Sequence, residues 1–472
     1  MNKPSLIFAL LISASSIHAE DEPAWAEKSQ FIGVQKEMPA GELDKAQLDA
    51  LTQIGEGLFT DRFTERDGVG RPRATQAILP TKAKVASPNF FMRTSGLDAN
   101  ACSSCHNEPR VGGAGGFAAN VFLSEGFTNA VFDTTDAEFS NERGTNHLFG
   151  AGLVELLARE MTAELTAIRQ QAITQAKEKN EIMRVALVTK GVNFGFFSVG
   201  PDGIADFSEL EGIDPDLNVR PFSQKGVILS LRQFSVNASN MHHGMQATER
   251  YGERWTGETD FDEDGVGNEL SDADISAMVA WQASLEPPVL ITPDDVAWAE
   301  ASKAGEVAFN DMGCNSCHMQ SLPLASLKFQ DPGPLDAAGT LSNKDVETAA
   351  IYDLELLDWA KNLKRNDKGE ILVPLFGDLK RHKMTDSEVD ALGNELFSQR
   401  FVERDVFMTS ELWGVGSTAP YGHRNDFTSL DGIIRAHGGE GRVSRDQYVA
   451  ADEQTRSAII AYLKTLQIGD AQ

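Results

Sequence analysis

Two copies of one five-residue pattern, Cys102-Ser103-Ser104-Cys105-His106 and Cys314-Asn315-Ser316-Cys317-His318, use all four cysteines of the chain. A pair of thiols followed at once by an imidazole is the attachment motif for c-type haem. The thiols become thioethers to the porphyrin and the adjacent His binds iron from the proximal side. A Cys-x-x-Cys redox pair and a four-Cys zinc site are the rival readings, but neither explains a His after each second Cys. The expectation is two covalent haems, held by Cys102, Cys105 and His106 and by Cys314, Cys317 and His318.

What each iron can do depends on a sixth ligand, and six further His are available: His147, His242, His243, His382, His423 and His437. Leu412 to His423 reads as a tight loop, and Ser429 to Ala436 as a short helix ending at His437-Gly438-Gly439. By itself, a His at that point reads as an exposed helix C-terminal residue favoured by the helix dipole.

The same stretch resembles the C-terminal haem domain of the bacterial di-haem cytochrome c peroxidase superfamily. There an Ala-Pro-Tyr-x-His-Asp-Gly loop precedes a helix carrying the distal haem ligand. Here the loop is Ala419-Pro420-Tyr421-Gly422-His423, with Arg424-Asn425 in place of Asp-Gly. The superfamily's distal ligand follows the loop His by fourteen residues, which lands on His437, a His where the peroxidases proper have Met. Asp378-Leu379-Lys380-Arg381-His382 and His437-Gly438-Gly439-Glu440 make the chain more similar to one branch, the di-haem oxidoreductase family of thiol oxidoreductases and peroxidases. The resemblance extends over Cys105-His106-Asn107 with Val111-Gly112-Gly113-Ala114-Gly115, over Leu148 to Glu155, and over Asp260 to Leu270.

The resemblance implies a second haem ligated by His318 and His437, closed to substrate and suited to passing electrons. It leaves His423 contacting a propionate or bracing its loop. His382 has no spacing argument and reads as a satisfied core or surface His. For the first haem the family pattern fails, because residues 107–125 contain no His. That iron is either open or capped by His147, His242 or His243. Arg143 and Leu148 match an Arg-x-x-Pro-x-Leu segment of the family, with Asn146 in place of Pro. Arg143 and His147 are therefore expected in the first haem pocket, with Glu155 as the acid that moves protons during O–O cleavage; the bland reading of Glu155 is a surface carboxylate. Trp413 and Trp281 are the substitutes available for the family's inter-haem Trp. The expected activity is reduction of hydrogen peroxide at haem 1 with haem 2 relaying electrons. The alternatives are a non-catalytic electron carrier and a haem-dependent oxygenase of the same superfamily.

Asp260, Asp262 and Asp264 alternate toward Gly265, as in calcium loops, but the twelfth position is Ser271 rather than a bidentate Glu. Either Glu269 or Asp272 substitutes for it, or the segment is an acidic turn capping a helix at Ser271.

These residues need a scaffold. A chain of 472 residues, 41% hydrophobic and 24% charged, forms two or three domains with sizeable cores. The first 19 residues have Lys3, an apolar run from Leu6 to Ile12 and a small-residue end at Ala19, the pattern of an export signal. The remainder carries a charge of −29 and no apolar run of membrane-spanning length. It is expected to be periplasmic and soluble, with no nucleic-acid partner. Its partners would be a small-molecule oxidant or substrate and a small electron-donor protein such as a cytochrome. The motifs lie far apart, and Ser284 to Asp295 contains Pro287, Pro288 and Pro293. That places a haem 1 domain at 45–285 and a haem 2 domain at 286–472. Both are expected to be mainly α and cytochrome c-like, with long loops and few short strands. Ala163 to Val188 and Val227 to Arg250 have helical spacing, while Val111–Gly116 and Gly191–Gly195 read as loops.

Overall fold

The computed structural model describes residues 25–72, 91–92, 100–116, 118–120, 142–262, 264–336, 339–395 and 400–469. The leader at 1–19, Glu263 and part of the 107–125 segment lie outside them.

Two helix pairs built in the same way carry the two motifs. Helix α1 (Lys45–Thr60) starts where the Asp44 carboxylate accepts the Gln47 amide and Gln47 answers at the Asp44 amide, a capping box. It packs on α4 (Asp272–Ser284), which starts with a second such box between Ser271 and Asp274. In the other pair, α5 (Val296–Asp311), capped by Asp295, packs on α7 (Glu453–Leu463), capped by Asp452. Each contact needs a glycine. A Cβ on Gly55 would lie 2.0 Å from the Ala277 carbonyl oxygen, and one on Gly305 would lie 1.9 Å from that of Ala458. One turn after each glycine comes a Phe. Phe59 lies 4.4 Å from Trp281 and 5.8 Å from His106 between ring centroids. Phe309 lies 5.7 Å from Tyr462 and 6.5 Å from His318.

Between these pairs run α2 (Ala151–Lys179), α3 (Leu231–Ala238) and a single π turn, Ser239–His243. The expected helix from Ala163 to Val188 stops early, because Asn180 takes the left-handed conformation (φ 53°). Strand β1 (Met183–Thr189) follows and pairs antiparallel with β2 (Val192–Val199) through a turn at Lys190 and Gly191, both at positive φ. Val192, Phe194, Phe197 and Val199 are buried, so the span expected as a loop is a half-buried strand. Gly195 does admit a close neighbour, but it is backbone: a Cβ there would lie 2.1 Å from the Glu209 carbonyl oxygen. The mainly-α expectation is thus corrected to a mixed fold, with seven sheets of two or three strands among the described residues. Sheet-forming segments this short are fixed by tertiary packing, not by local propensity.

The largest apolar core draws Leu48, Leu157 and Ile275 together with Phe329, Tyr352 and Ile371, from both sides of the 285/286 boundary. Beside it Arg232 of α3 is fully buried between Glu249 and Asp331, and the Tyr352 hydroxyl donates to Asp331 at 2.9 Å. A second core gathers Phe309, Phe376, Tyr421, Tyr448 and Tyr462 around the second motif. Among the described residues no helix is long and apolar enough to cross a membrane.

Candidate functional site

Each Cys-x-x-Cys-His segment forms one 3-10 turn, Cys102–Ser104 and Cys314–Ser316, in which the second Cys amide returns to the carbonyl of the first. Both turns open on one continuous cavity of about 1170 Å³. None of the four thiols is in a disulfide. Burial pushes Cys102 up to about 12 and Cys314 to about 11, the opposite of the depressed thiol of a redox pair. The four sulfurs do not converge on one point, as a zinc site would require.

Backbone carbonyls orient the imidazoles of both motifs. His106 Nδ1 donates to the Gly113 carbonyl at 3.2 Å, and His318 Nδ1 to that of Phe376 at 3.2 Å. A carbonyl only accepts, so the proton sits on Nδ1 and Nε2 keeps its lone pair. Burial lowers both rings to about 4, so they are neutral at pH 7. His437 follows α6 (Leu430–Arg435), whose N-terminus Ser429 caps, and its Nδ1 donates to the Ile433 carbonyl at 2.8 Å. It lines the same cavity and is electrostatically coupled to His318. The residues therefore fit two haems: the four thiols would form the thioethers, His106 and His318 would bind the irons, and His437, in the same lining, would be a further ligand for the second.

The Gly-rich loop after the first motif closes on itself. A Cβ on Gly113 would lie 2.0 Å from the Glu108 carbonyl oxygen, and that carbonyl accepts the Ala114 amide at 2.7 Å. Glycine is needed here so that the backbone can fold behind His106.

Arg143, His147 and His423 line the cavity. Arg143 is buried and paired with Glu395 at 2.5 Å. His147 Nε2 donates to the Trp413 carbonyl at 3.0 Å, and its Nδ1 is buried with no hydrogen-bond partner among the described residues. His423 stacks on Phe407 at 4.6 Å, and its buried Nε2 likewise has no partner among the described residues. Burial, Arg143 and Lys225 lower it to about 3. The altered turn after it is explained by Asn425, which takes φ 58° and donates from its side-chain amide to the Gly115 carbonyl at 3.3 Å. Asn425 thus fills a left-handed position and ties the two motif regions together.

Glu155 is placed elsewhere. It is fully buried, pairs with Arg159 and accepts the Leu231 amide at 2.7 Å, so it joins α2 to the start of α3 and does not line the cavity. A carboxylate on a helix start that also faces an Arg is already engaged in holding helices together. Among the described residues the acids that do line the cavity are Glu440, which accepts the Lys383 amide at 2.8 Å, and Glu411, which burial pushes up to about 7. No motif marks it in Ser410-Glu411-Leu412-Trp413; only the fold reveals it. Trp413 lines the cavity, whereas Trp281 packs behind Phe59. His242 and His243 reach the cavity on the π turn, and His243 Nε2 lies 3.6 Å from Cys102 Sγ. π turns recur at functional sites. Burial lowers His242 to about 3, and it is electrostatically coupled to His106.

In the acidic loop, carboxylate oxygens of Asp260, Asp262 and Asp264 lie within 4.8 Å of one another, and burial pushes Asp264 up. The substitutes for a twelfth ligand are occupied: Glu269 accepts the Gln246 amide at 2.6 Å, and Asp272 the Thr248 hydroxyl at 2.6 Å. Ser271 caps α4.

No family model and no curated protein matches the chain. Among solved structures it is similar to hydrazine synthase of Kuenenia stuttgartiensis pressurized with xenon, at 13% identity over 98% of this chain and 100% of that one, with a TM-score of 0.41. It is also similar to a MauG-like protein associated with microbial copper homeostasis, at 14% identity over 57% of this chain and 77% of that one, with a TM-score of 0.28. Both likenesses are too distant to establish a shared fold, and no role is taken from them.

Proposed function

We propose that this chain is an exported di-haem c-type oxidoreductase that reduces hydrogen peroxide at the first motif with electrons relayed through the second. One observation carries the reading: both Cys-x-x-Cys-His turns open on a single cavity, with His437 beside His318 and with Trp413 and Glu411 in the same lining. Haem bound at these turns supplies one-electron iron chemistry.

The protein supplies the rest. Cys102, Cys105, Cys314 and Cys317 anchor the groups, and the Gly113 and Phe376 carbonyls orient His106 and His318. His437 closes the second site. Arg143, steadied by Glu395, and His147, steadied by the Trp413 carbonyl, present polar groups toward the first site. Reduction of peroxide to water consumes two protons as well as two electrons. Glu411, held near 7, is the cavity acid suited to exchange protons at neutral pH. Each half is a cytochrome c-like module built on its glycine-mediated helix pair, the haem 1 module falling within 45–285 and the haem 2 module within 286–472.

The second reading, an electron carrier with no substrate, is favoured by the coupling of His147 and His242 to His106, either of which would cap the first iron. Electron paramagnetic resonance of the oxidised holoprotein separates them. A high-spin ferric signal supports catalysis, and two purely low-spin haems overturn it in favour of the carrier.

The periplasmic location rests on the leader at residues 1–19, and the acidic surface suits a basic cytochrome as donor. Asp260, Asp262 and Asp264 are proposed to take calcium, with water completing the shell.

A further inference from the structure

A buried imidazole that the proposed reaction does not use is that of His382. His382 lies on β3 (Arg381–Lys383), which pairs with β4 (Val406–Met408) and is 7% exposed. Its Nε2 is 2.9 Å from Asp378 Oδ2 and its Nδ1 is 2.7 Å from Glu440 Oε2. Ionised carboxylates only accept, so with both acceptors in place both nitrogens carry protons and the ring is an imidazolium. The third group facing it is Cys317, whose sulfur lies 4.0 Å from Nδ1. The neighbouring cations point elsewhere: Lys380, just before the strand, to the Asn193 carbonyl and Glu211, Arg381 to Asp214, and Lys383 to Asp405.

The two acceptors are not arbitrary partners. Asp378 follows Phe376 by two residues, and the Phe376 carbonyl fixes His318. Glu440 follows His437 by three, across a turn so close to β3 that a Cβ on Gly439 would lie 2.3 Å from the Lys383 carbonyl oxygen. A single ring therefore joins the segment that orients one axial imidazole to the segment that carries the other. It does so while placing a buried positive charge against an attachment cysteine.

We propose that His382 is a positioning residue for the second haem, clamping the supports of His318 and His437 together and setting that haem's potential with a fixed imidazolium. The inference rests on the haem reading only in requiring a haem at Cys314–His318. A buried charge acts strongly on its neighbours because little water screens it. Taking away the cation leaves two carboxylates and disfavours the reduced, more negative state. Taking away one carboxylate has the opposite sign.

The test is a spectroelectrochemical titration of full-length holoprotein, wild type against H382Q and E440Q, with resonance spectra recorded on each. The expected result is a lower potential for the second haem in H382Q and a higher one in E440Q, with the first haem unmoved. Both variants should also change the low-spin signal, because the axial rings are freed to turn. Glu440 is about half exposed, so E440Q keeps the test available if H382Q does not fold. Potentials unchanged in both variants, or shifted in the same direction, would overturn the proposal. Absence of a thioether-linked haem at Cys314 and Cys317 by mass spectrometry would instead overturn the function proposed above.

Discussion

Gly305 and Ala458 touch backbone to backbone: a Cβ on the glycine would stand 1.9 Å from the alanine carbonyl oxygen. That contact seats the helix leading into the second motif on the last helix of the chain, as Gly55 and Ala277 do for the first. G305V must push the helices apart. Overpacking of this kind costs about 1–3 kcal/mol, so its urea midpoint should fall clearly below wild type. An unchanged midpoint would mean that the two helices do not pack as described.

Covalent attachment predicts an arithmetic of mass. C102A/C105A should retain one haem and C314A/C317A the other, each losing about half of the haem absorbance. Intact-protein mass spectrometry on both variants decides it. Two prosthetic groups retained by either double mutant would contradict the assignment of the motifs.

His437 is expected to ligate the second iron opposite His318. A Met ligand raises haem potentials relative to His. H437M should therefore shift one of two redox transitions upward and leave the other in place, as measured by optical titration. No movement of either transition would remove His437 from the coordination shell.

Glu249 offers a pH test remote from both motifs. It is 2% exposed, and burial pushes it from its ordinary 4.5 to about 7 despite the Arg232 guanidinium beside it. The folded state then holds a proton between those values that the unfolded chain has released. Its contribution to stability is full below 4.5 and is lost as pH rises to about 7. E249Q cannot titrate, so it should gain on wild type as pH rises through that window, as read from urea unfolding at pH 5 and pH 8. A constant difference would place an ionised carboxylate at Glu249 throughout.

If the Asp260–Asp264 loop holds calcium, chelation should lower the melting temperature of wild type and leave D262N unaffected by added calcium. Equal melting curves with chelator and with calcium would leave the segment as a solvated turn.

Much of the candidate site could be read from residue types because the haem attachment motif is a local pattern. Two thiols and an imidazole must sit on one turn, and a five-residue string records that requirement. The loop from Leu412 to His423 and the helix before His437 were legible for a similar reason, since Ser429 caps the helix and Gly438 and Gly439 follow it in the chain. Glu155 was misplaced because its neighbour in the chain, Phe149-Gly150, approaches the cavity while a helical turn carries the carboxylate to Arg159 and Leu231. Glu411 left no trace, since an acid in a loop looks the same whether a cavity or water receives it. The strand at Met183–Thr189 was hidden inside a helical pattern until Asn180 ended the helix.

The amino-acid order alone carries the two Cys-x-x-Cys-His motifs, on which the expectation of two haems rests, and the net charge of −28, since both are properties of local spacing and composition. Tertiary structure decided that both motifs share one cavity, that Phe376 and Gly113 supply the carbonyls behind the proximal rings, and that His382 bridges Asp378 to Glu440. Those partners lie between four and fifty-eight residues from the His they serve. Pairings at long separation form only when packing has already met the entropy of closing the loops between them.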